Sequence, residues 1–322
     1  MAFVVGVDGG ASKTVALIAT EGGKVVGRGQ SGSSNHQNVG SGSASEAIRA
    51  AVHQARVKAH LTRKELAVGV VSLAGIDSNR DVVAARRFVR KANVASRTFF
   101  AHDSVSALYA ATKGAPGIIV NSGTGSFAAG INSRGVYARV GGWGYLAGDE
   151  GSAYDIGRMA LVLSFRMLDG REKTTGLQNV ICKHFQVTSL EDARAAIHRS
   201  KVEEIAGLSL TVSRLAPSDG TCEQILKRAG FELGDLACAV ARKLEMTEDV
   251  FPVVGTGGGF KSGHYLTRSF ACRIREECPN AVTSILRIEP AHGALIVALR
   301  KLREQKLLAE KPSSLNNVLH AT

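Results

Sequence analysis

The chain has 322 residues, which is enough for two domains that each bury a core of their own. Hydrophobic residues make up 44% and charged residues 21%, as is typical of a soluble globular protein, and no apolar run is long enough to span a membrane. The net charge of +12 comes from dispersed basic residues, without a helix-turn-helix, zinc-finger or RNA-binding pattern. We therefore expect neither a membrane segment nor a nucleic-acid partner.

The N-terminus and the cysteines bear on the cellular compartment. Residues 1–9 lead directly into a predicted strand, whereas a secretory signal needs a charged start and a long apolar stretch. The expected location is therefore the cytoplasm. The five cysteines form an odd number without a CxxC pair, which favours free thiols over a disulfide framework or a zinc site.

Hydrophobic periodicity predicts two series of elements, and each series begins with a meander of three strands. The first series begins with a meander of three strands and continues as helix, strand, helix, strand and helix, over residues 3–7, 15–19, 24–29, 43–60, 67–73, 81–91, 97–101 and 104–112. A polar loop is expected over 31–42. The second series has a meander, three helices, a strand and a last helix, over residues 117–121, 126–132, 136–140, 152–168, 190–199, 222–245, 251–255 and 291–303. A further helix is expected after the glycines at 257–259, which follow the strand at 251–255.

Two meanders, each with a Gly-rich turn after its first strand, predict a duplicated α/β fold with a ligand cleft between its halves. The boundary is expected near residues 113–116, where Gly and Pro interrupt a helix. An N-terminal domain would then cover 1–114 and a C-terminal domain 115–303, with the last helix, at about 291–303, able to pack back on the N-terminal domain. Residues 304–322 are expected to form a flexible tail.

The first Gly-rich turn has the sequence DGGASKT at residues 8–14. Its residues include glycines that let backbone N–H groups approach an anion, two hydroxyls and a cation, namely Gly9, Gly10, Ser12, Thr14 and Lys13. Asp8 lies at a strand end, where it could hold a hydrated Mg²⁺. The spacing is not that of a Walker A loop, and an ordinary hairpin turn is the alternative.

Two further Gly-rich turns follow predicted strands. SGTGS at residues 122–126 repeats the chemistry of the first turn, and a pair of such turns could clamp a polyphosphate from both sides. GTGGG at residues 255–259 would let a flat adenine ring lie against backbone, although it could also be a flexible loop. The pair of phosphate-type turns is more specific than either turn alone.

Asp103 stands between a predicted strand and a predicted helix. A carboxylate there could accept the proton of a sugar hydroxyl as the hydroxyl attacks a γ-phosphate. The alternative is that Asp103 only caps the helix.

The stretch GGWGYLAGDEGS, at residues 141–152, contains the only Trp of the chain and two acids ahead of a helix. Carboxylates beside closely approaching backbone suit sugar hydroxyls, although Asp149 or Glu150 could instead favour the helix N-terminus through its dipole. The amide of Asn35 both donates and accepts, which also suits a sugar, and a turn residue is its alternative.

The order of motifs DGGASKT, SSNH, HD, SGTGS, GGWGYLAGDEGSAY and GTGGGFKS resembles the N-acetylglucosamine kinase group of the BadF/BadG/BcrA/BcrD ATPase family, over about residues 3–300. The resemblance implies the two-domain, actin-like ATPase (ribonuclease H-like) fold of sugar kinases, actin and heat-shock chaperones. It also implies transfer of the γ-phosphate of ATP, with Mg²⁺, to the 6-OH of N-acetylglucosamine or a related amino sugar or hexose. A homodimer is expected on the same ground.

The resemblance also assigns roles to individual positions. Asp103 would be the catalytic base. Contacts with the sugar are assigned to Asn35, Asp103, Gly125, Ser126, Gly142, Trp143, Gly144 and Asp149. Contacts with the nucleotide are assigned to Ser12 at the phosphates, Thr124, and Gly258 and Ser262 at the adenosine. Phe127 stands where kinases of this group carry a polar residue, a departure that bears on recognition of the N-acetyl group.

An ATPase activator of a CoA-ester reductase or dehydratase is the alternative function within this fold. Such activators hold a bridging iron–sulfur cluster on cysteines near the middle of the chain, whereas the first cysteine here is Cys182. A sugar-responsive repressor is not expected, because it would carry a DNA-binding segment ahead of the first phosphate turn. The sugar remains open among N-acetylglucosamine, glucosamine, glucose and N-acetylmuramic acid.

Overall fold

The fold was analysed in a computed structural model that describes residues 2–62, 65–76, 78–286, 288–306 and 320–321. Its strands are β1 (Phe3–Gly9), β2 (Thr14–Thr20), β3 (Val25–Ser31), β4 (Leu66–Leu73), β5 (Arg97–His102), β6 (Gly117–Ser122), β7 (Ser126–Ile131), β8 (Tyr137–Gly141), β9 (Pro252–Thr256), β10 (Val282–Ile285) and β11 (His320–Ala321). Its helices are α1 (His36–Ala59), α2 (Asn79–Ala92), α3 (Asp103–Thr112), α4 (Ala153–Leu168), α5 (Leu177–Phe185), α6 (Leu190–Arg199), α7 (Val202–Leu215), α8 (Gly220–Leu244), α9 (His264–Glu277) and α10 (Ala291–Lys306). Among the helices of these residues, none is long and apolar enough to cross a membrane.

Contacts between residues divide the chain into two compact units. Unit 1 comprises Met1–Gly117, Ile131–Tyr137 and Leu286–Thr322, and unit 2 comprises Ile118–Gly130 and Ala138–Ile285. The expected boundary after residue 114 lies close to the first of these divisions. The divisions fall within β6, β7 and β8, and α10 belongs to unit 1, as the sequence analysis allowed for the last helix. Most of the tail expected at 304–322 lies outside the described residues, while 304–306 end α10 and 320–321 form β11.

The two sheets have the same strand order, which reveals the duplication. The first runs β11-β5-β4-β1-β2-β3, with an antiparallel meander β1-β2-β3 and with β4 and β5 parallel to β1 and to each other. The second runs β10-β9-β6-β7-β8, with β9 parallel to β6 and β10 parallel to β9. Apart from β11, each sheet consists of a three-stranded meander, the first crossover strand (β4 or β9) beside the first strand of the meander, and the second crossover strand (β5 or β10) beyond it. The predicted duplication of an α/β unit is confirmed.

The apolar faces of the sheets form the cores. In unit 1, α1 and α2 cover one face of the sheet around Val5, and α3 and α10 cover the other face around Val4. In unit 2, α4 to α9 supply most of a single large cluster that includes Ile118 and Val120 of β6. Each unit thus carries a rigid sheet whose strand ends can hold polar groups in place.

Helix α10 approaches α3 closely in unit 1. A Cβ atom on Gly293 of α10 would lie 1.7 Å from the carbonyl oxygen of Ser106 in α3, so only glycine permits this packing. Because Asp103 opens α3, this contact helps to fix the position of the candidate catalytic residue.

Several elements differ from the prediction. The loop expected over 31–42 ends early, because α1 begins at His36 behind the N-cap Asn35 and is broken at Gly40, where φ is +76°. Helices α5 and α7 and strand β10 were not predicted. They are short or only partly buried, so their apolar patterns are weak.

Candidate active site

The turn after β1 presents the predicted phosphate-binding residues unequally. The N–H of Gly10 donates to the carbonyl of Lys13 (2.9 Å), which closes a tight turn and leaves Ser12 and Lys13 exposed. The hydroxyl of Thr14 is fully buried, donates to the carbonyl of Gly32 (2.8 Å) and lies 2.9 Å from Ser34 Oγ. Thr14 therefore supports the turn through its side chain, and its predicted contact with a phosphate stays a prediction.

Gly9 is also a supporting residue. It pairs with both neighbouring strands, and a Cβ there would lie 2.3 Å from Ser34 Oγ and 2.7 Å from Leu73 Cδ2. Its lack of a side chain is needed for packing, whereas Gly10 has the freer surroundings expected of a residue that faces a ligand.

Asp8 lies at the end of β1 beside a second carboxyl group. Burial, and next the charge of Asp103, raise the pKa of Asp8 to about 7, while Ser106 and Lys13 oppose the rise. Ser106 Oγ lies 3.3 Å from Asp8 Oδ1 and 2.9 Å from the carbonyl oxygen of Asp103. Hard carboxylate oxygens whose charges repel each other suit Mg²⁺, which proteins bind through one or two carboxylates together with phosphate oxygens and water.

Asp103 does not cap the helix that it opens. The N-cap is His102, whose Nδ1 accepts a hydrogen bond from the backbone N–H of Ser104 (3.1 Å). The same Nδ1 lies 2.8 Å from Asp103 Oδ1, and while it accepts from Ser104 it carries no proton to donate to that oxygen. Among the described residues, Asp103 Oδ1 is buried without a hydrogen-bond donor. This oxygen is therefore a hydrogen-bond acceptor that no described residue uses.

Asn35 has a structural role at the start of α1, besides the sugar contact predicted for it. Its Oδ1 accepts from the backbone N–H of Gln37 (3.0 Å) and so caps α1. The side chain also lies close to Gly75, where a Cβ would come within 2.6 Å of Oδ1. The cap fixes the amide beside the end of β4, so capping and sugar binding are compatible.

Glu289 was not identified from the sequence. Its carboxylate accepts two hydrogen bonds from the guanidinium of Arg28 (2.8 and 3.0 Å) and lies 3.9 Å from Lys13 Nζ. These contacts hold the pKa of Glu289 below its usual value, chiefly through Arg28. No local motif could have revealed the pairing, because its partners are far apart in the chain.

In unit 2, the second and third Gly-rich turns lie together. Parallel pairing of β6 with β9 sets Asn121 opposite Thr256, so the turns that follow share one sheet edge. A Cβ on Gly259 would lie 1.9 Å from Ser122 Oγ, and one on Gly257, where φ is +95°, would lie 2.4 Å from the Ser122 carbonyl oxygen. The glycines of the third turn thus let its backbone pack directly against Ser122 at the start of the second turn.

The residues of these turns that are predicted to bind the nucleotide are either accessible or carry a hydroxyl without a hydrogen-bond partner among the described residues. Thr124 is exposed, and a Cβ on Gly258 would meet nothing within 4 Å. Ser262 is buried, and its hydroxyl has no hydrogen-bond partner among the described residues. An open glycine surface next to an unused hydroxyl fits an adenosine.

Asp149 is held tightly against the second turn. It is a non-glycine residue with φ of +62°, and its Oδ1 accepts from the backbone N–H of Ser126 (3.1 Å). A Cβ on Gly125 would lie 2.7 Å from Asp149 Oδ2. Burial raises the pKa of Asp149, and the Ser126 N–H only partly opposes the rise. The helix that follows is capped by Ser152, so Asp149 is not used as its cap.

Ser126 supports Asp149 by a second contact. Its buried hydroxyl donates to the carbonyl of Glu150 (2.7 Å), so its proton is already used. The backbone N–H and hydroxyl of Ser126 together fix the Asp149 turn, and the hydroxyl oxygen can still accept a hydrogen bond, so the predicted sugar contact of Ser126 stays a prediction.

The glycine-rich segment before Asp149 exposes large apolar side chains. Trp143 is 77% and Leu146 89% exposed. Gly142 and Gly144 have φ of +75° and +84°, which only glycine adopts readily. At Gly142, a Cβ would lie 2.3 Å from Arg139 Nη2 and 3.4 Å from Phe127 Cβ. Arg139 is a neighbour of the predicted sugar residues that sequence reasoning missed.

Two sheets of identical strand order, each with a Gly-rich turn after its first strand and a carboxylate nearby, define a two-domain ATPase of the actin-like fold. Residues 5–298 match the BadF/BadG/BcrA/BcrD ATPase family, and the chain belongs to this family. The resemblance noted in the motifs and the expected fold are both confirmed.

Relatives with assigned activities cover nearly the whole chain. The chain is similar to an N-acetylmuramic acid/N-acetylglucosamine kinase of Clostridium acetobutylicum, with 31% identity over 92% of this chain and 98% of that protein. It is 32% identical to an N-acetyl-D-glucosamine kinase of Dictyostelium discoideum, over 92% and 97% of the two chains. A crystal structure from Chromobacterium violaceum, of a protein proposed to be an N-acetylglucosamine kinase, matches with a TM-score of 0.76 and 27% identity over 93% and 99%.

Proposed function

We propose that this protein is an ATP-dependent kinase that transfers the γ-phosphate of ATP to a hydroxyl, the 6-OH, of N-acetylglucosamine or a related amino sugar. The observation that carries the proposal is Asp103, a carboxylate at a strand end that is not used as a helix cap and has an oxygen without a donor among the residues that the structure describes. The similarity to two assigned sugar kinases over nearly their full lengths supports the same reaction.

Asp103 is the general base. It accepts the proton of the attacking sugar hydroxyl, a role that contributes on the order of 10² to 10⁴-fold to the rate. His102 and Ser106 position it, because His102 caps α3 and the Ser106 hydroxyl returns to the Asp103 carbonyl.

ATP is bound through the Gly-rich turns. In unit 1, the turn residues Gly10, Ser12 and Lys13 face the phosphates, and Gly9 and Thr14 support them. In unit 2, Thr124 contacts the nucleotide, and Gly258 and Ser262 border the adenosine. Mg²⁺ held at Asp8 would neutralise negative charge on the phosphates.

Sugar contacts are proposed for residues of each unit, taken separately. Asn35 and Asp103 contribute from unit 1. From unit 2 we assign the backbone of Gly125, Gly142 and Gly144, the ring of Trp143 and the carboxylate of Asp149. Asp149 accepts hydrogen bonds from sugar hydroxyls, which are strong because the acceptor is charged.

The alternative, an ATPase activator with an iron–sulfur cluster, fits the thiols poorly. Cys222 and Cys238 are buried, and the first cysteine of the chain is Cys182, so the thiols lack the placement near the middle of the chain that such a cluster uses. Cys278 is also buried. The kinase is therefore the better-supported function. We further propose a cytoplasmic homodimer, as expected of the kinase group.

The test is release of ADP by the purified protein with ATP, Mg²⁺ and, in turn, N-acetylglucosamine, glucosamine, glucose and N-acetylmuramic acid. We expect ADP release to require a sugar, and Asp103→Asn to lower kcat by about 10² to 10⁴-fold with little change in sugar affinity. Asp249→Asn, at an exposed position, is the matched control and should behave as wild type. Near-normal kcat in Asp103→Asn would refute the assignment of the base.

A further inference from the structure

The first turn of α1 follows its N-cap, Asn35, and is separated from the body of the helix. The separation lies at Gly40, where φ is +76° and the backbone is not helical. A Cβ on Gly40 or on Gly42 would meet no atom of the described residues within 4 Å, so packing does not restrain this break. The body of α1 therefore does little to fix the position of Asn35, and the first turn needs other contacts to hold it.

His36, the first residue of α1, supplies such a contact. Its Nε2 lies 3.2 Å from Asp81 Oδ1 in the first turn of α2, and it is the donor because an ionised carboxylate can only accept. The centre of its ring lies 5.5 Å from that of Phe88, a buried residue of the same helix. The side chain of His36 is only 10% exposed, and its Nδ1 is buried without a partner among the described residues. Its polar attachment is therefore made through Nε2.

Asp81 is itself fixed at the N-terminus of α2. Its Oδ2 accepts hydrogen bonds from the backbone N–H (3.0 Å) and the hydroxyl (2.6 Å) of Ser78, which completes the capping box of this helix. The Ser78 hydroxyl, more than any other group, lowers the pKa of Asp81. The two carboxylate oxygens thus have separate partners, and the oxygen that faces His36 is charged and held in place.

Contacts on either side of Asn35 complete its support. Gln37 Nε2 donates to the carbonyl of Gly75 (3.2 Å), the residue against which the Asn35 amide lies. On the other side, the N–H of Ser34 donates to the carbonyl of Gly10 in the turn after β1 (3.2 Å). Asn35 therefore stands between a residue bound to the phosphate turn and residues bound to α2 and to the end of β4.

We propose that the hydrogen bond between His36 and Asp81 positions Asn35 for the sugar, so that His36 and Asp81 are positioning residues of the kinase site. This inference rests on the proposed kinase function and on the sugar contact assigned to Asn35. An amide that recognises hydroxyl groups must hold its donor and its acceptor in a defined place. A shift of the first turn of α1 would move this amide and weaken the sugar contact.

The experiment measures the affinities for N-acetylglucosamine and for MgATP by calorimetry in two variants that differ by one methylene group. The amide of Gln can occupy the position of the His Nε2, whereas the amide of Asn reaches only as far as Nδ1. His36→Gln therefore keeps a donor for Asp81, and His36→Asn loses it. His53→Asn, at an exposed position of the same helix, is the matched control and should behave as wild type.

We expect His36→Asn to weaken sugar binding by roughly 10-fold, the scale of a hydrogen bond to a charged group, and to leave MgATP affinity unchanged. His36→Gln should recover most of the lost sugar affinity. A role confined to packing against Phe88 would not produce this difference, because both variants lose the ring.

A double-mutant cycle shows whether His36 acts through Asn35. Asn35→Ser removes the amide but keeps a side chain that caps helices well. In the Asn35→Ser background, His36→Asn should weaken sugar binding little further, because the amide that it positions is already gone. Gln37→Ala, at an exposed position, serves as a second test if His36→Asn does not fold. It too should weaken sugar binding and leave MgATP binding unchanged.

Several results would overturn the inference while leaving the kinase intact. These are additive losses in the cycle, a His36→Gln variant no better than His36→Asn, and an equal loss of MgATP affinity. If His36→Asn does not fold, wild-type sugar affinity in Gln37→Ala overturns it. If wild type neither binds nor phosphorylates a sugar, the proposed kinase function fails, and this inference fails with it.

Discussion

Asp8, Asp103 and Asp149 all lie near the ends of strands, yet their surroundings give them different chemistry. Burial and the charge of Asp103 raise the pKa of Asp8, and burial raises the pKa of Asp149. Asp103 has a carboxylate oxygen without a donor among the described residues. Three residues of one type can therefore serve as metal ligand, base and hydroxyl acceptor.

Asp8 should lower the stability of the ligand-free protein at neutral pH. Its pKa is raised in the folded state from 3.8 to about 7, so its contribution is fully present below about pH 4 and is lost as the pH rises through 7. Asp8→Asn has no charge to bury, and without Mg²⁺ it should be more stable than wild type at pH 8, by up to about 4 kcal/mol, and inactive. Denaturant melts at pH 4 and pH 8 measure this. An equal difference at both values would contradict the raised pKa.

Asp149 is best tested with asparagine, because its φ of +62° is tolerated by Asn but strains Ala. Asp149→Asn can keep the hydrogen bond from Ser126 while losing the charge. We expect sugar affinity to fall by about 1.5 to 3 kcal/mol and MgATP affinity to stay unchanged, as measured by calorimetry. Unchanged sugar affinity would leave Asp149 as a residue that only shapes the turn.

The residue types at the Gly-rich turns identified most of the candidate binding positions. They did not show which side-chain atoms already form hydrogen bonds within the protein. Thr14 and Ser126 carry hydroxyls in the expected places, yet both hydroxyls are buried and donate to backbone carbonyls. The cap at His102 was equally hidden, because His is an uncommon N-cap and the Asp beside it is a common one. Such choices depend on side-chain geometry that spacing does not encode.

At the scale of elements, the packing of α10 against α3 supports the base. Gly293→Ala would place a methyl group 1.7 Å from the Ser106 carbonyl, so α3 must shift, and with it Asp103. We expect a loss of about 1 to 3 kcal/mol in stability together with lower kcat. Gly42→Ala, in α1 with open space around it, is the matched control and should be neutral or slightly stabilising. Wild-type stability in Gly293→Ala would show that the contact relaxes at no cost.

Elements with strong periodicity were predicted well, and weakly patterned ones were not. The buried strands β1, β2 and β4 are nearly continuous apolar runs, which signal strands clearly. The start of α1 was missed because Gly40 and Gly42 lie in its first turns and lower its helix propensity. Strand β10 has four residues with mostly exposed side chains, so it carries almost no pattern.

At the scale of the whole molecule, the duplicated strand order explains why equivalent turns carry similar chemistry. The turns after β1 and β6 occupy the same place in two sheets of one topology, and both are rich in glycine and hydroxyls. The sequence predicted this repeat from its two meanders. It also allowed the last helix, at about 291–303, to pack back on the N-terminal domain, and α10 belongs to unit 1. It did not predict the close approach of Gly293 to Ser106, because long-range packing is not visible in local periodicity.

The most direct test of the central claim is where the phosphate goes. A kinase transfers it to the sugar, whereas an activator ATPase releases it to water, and ³¹P NMR distinguishes a sugar phosphomonoester from inorganic phosphate. With MgATP and N-acetylglucosamine or N-acetylmuramic acid, we predict that a phosphomonoester forms in step with ADP, and that Asp103→Asn slows its formation by about 10² to 10⁴-fold. Formation of inorganic phosphate alone, at a rate independent of sugar, would contradict the assignment of this protein as a sugar kinase.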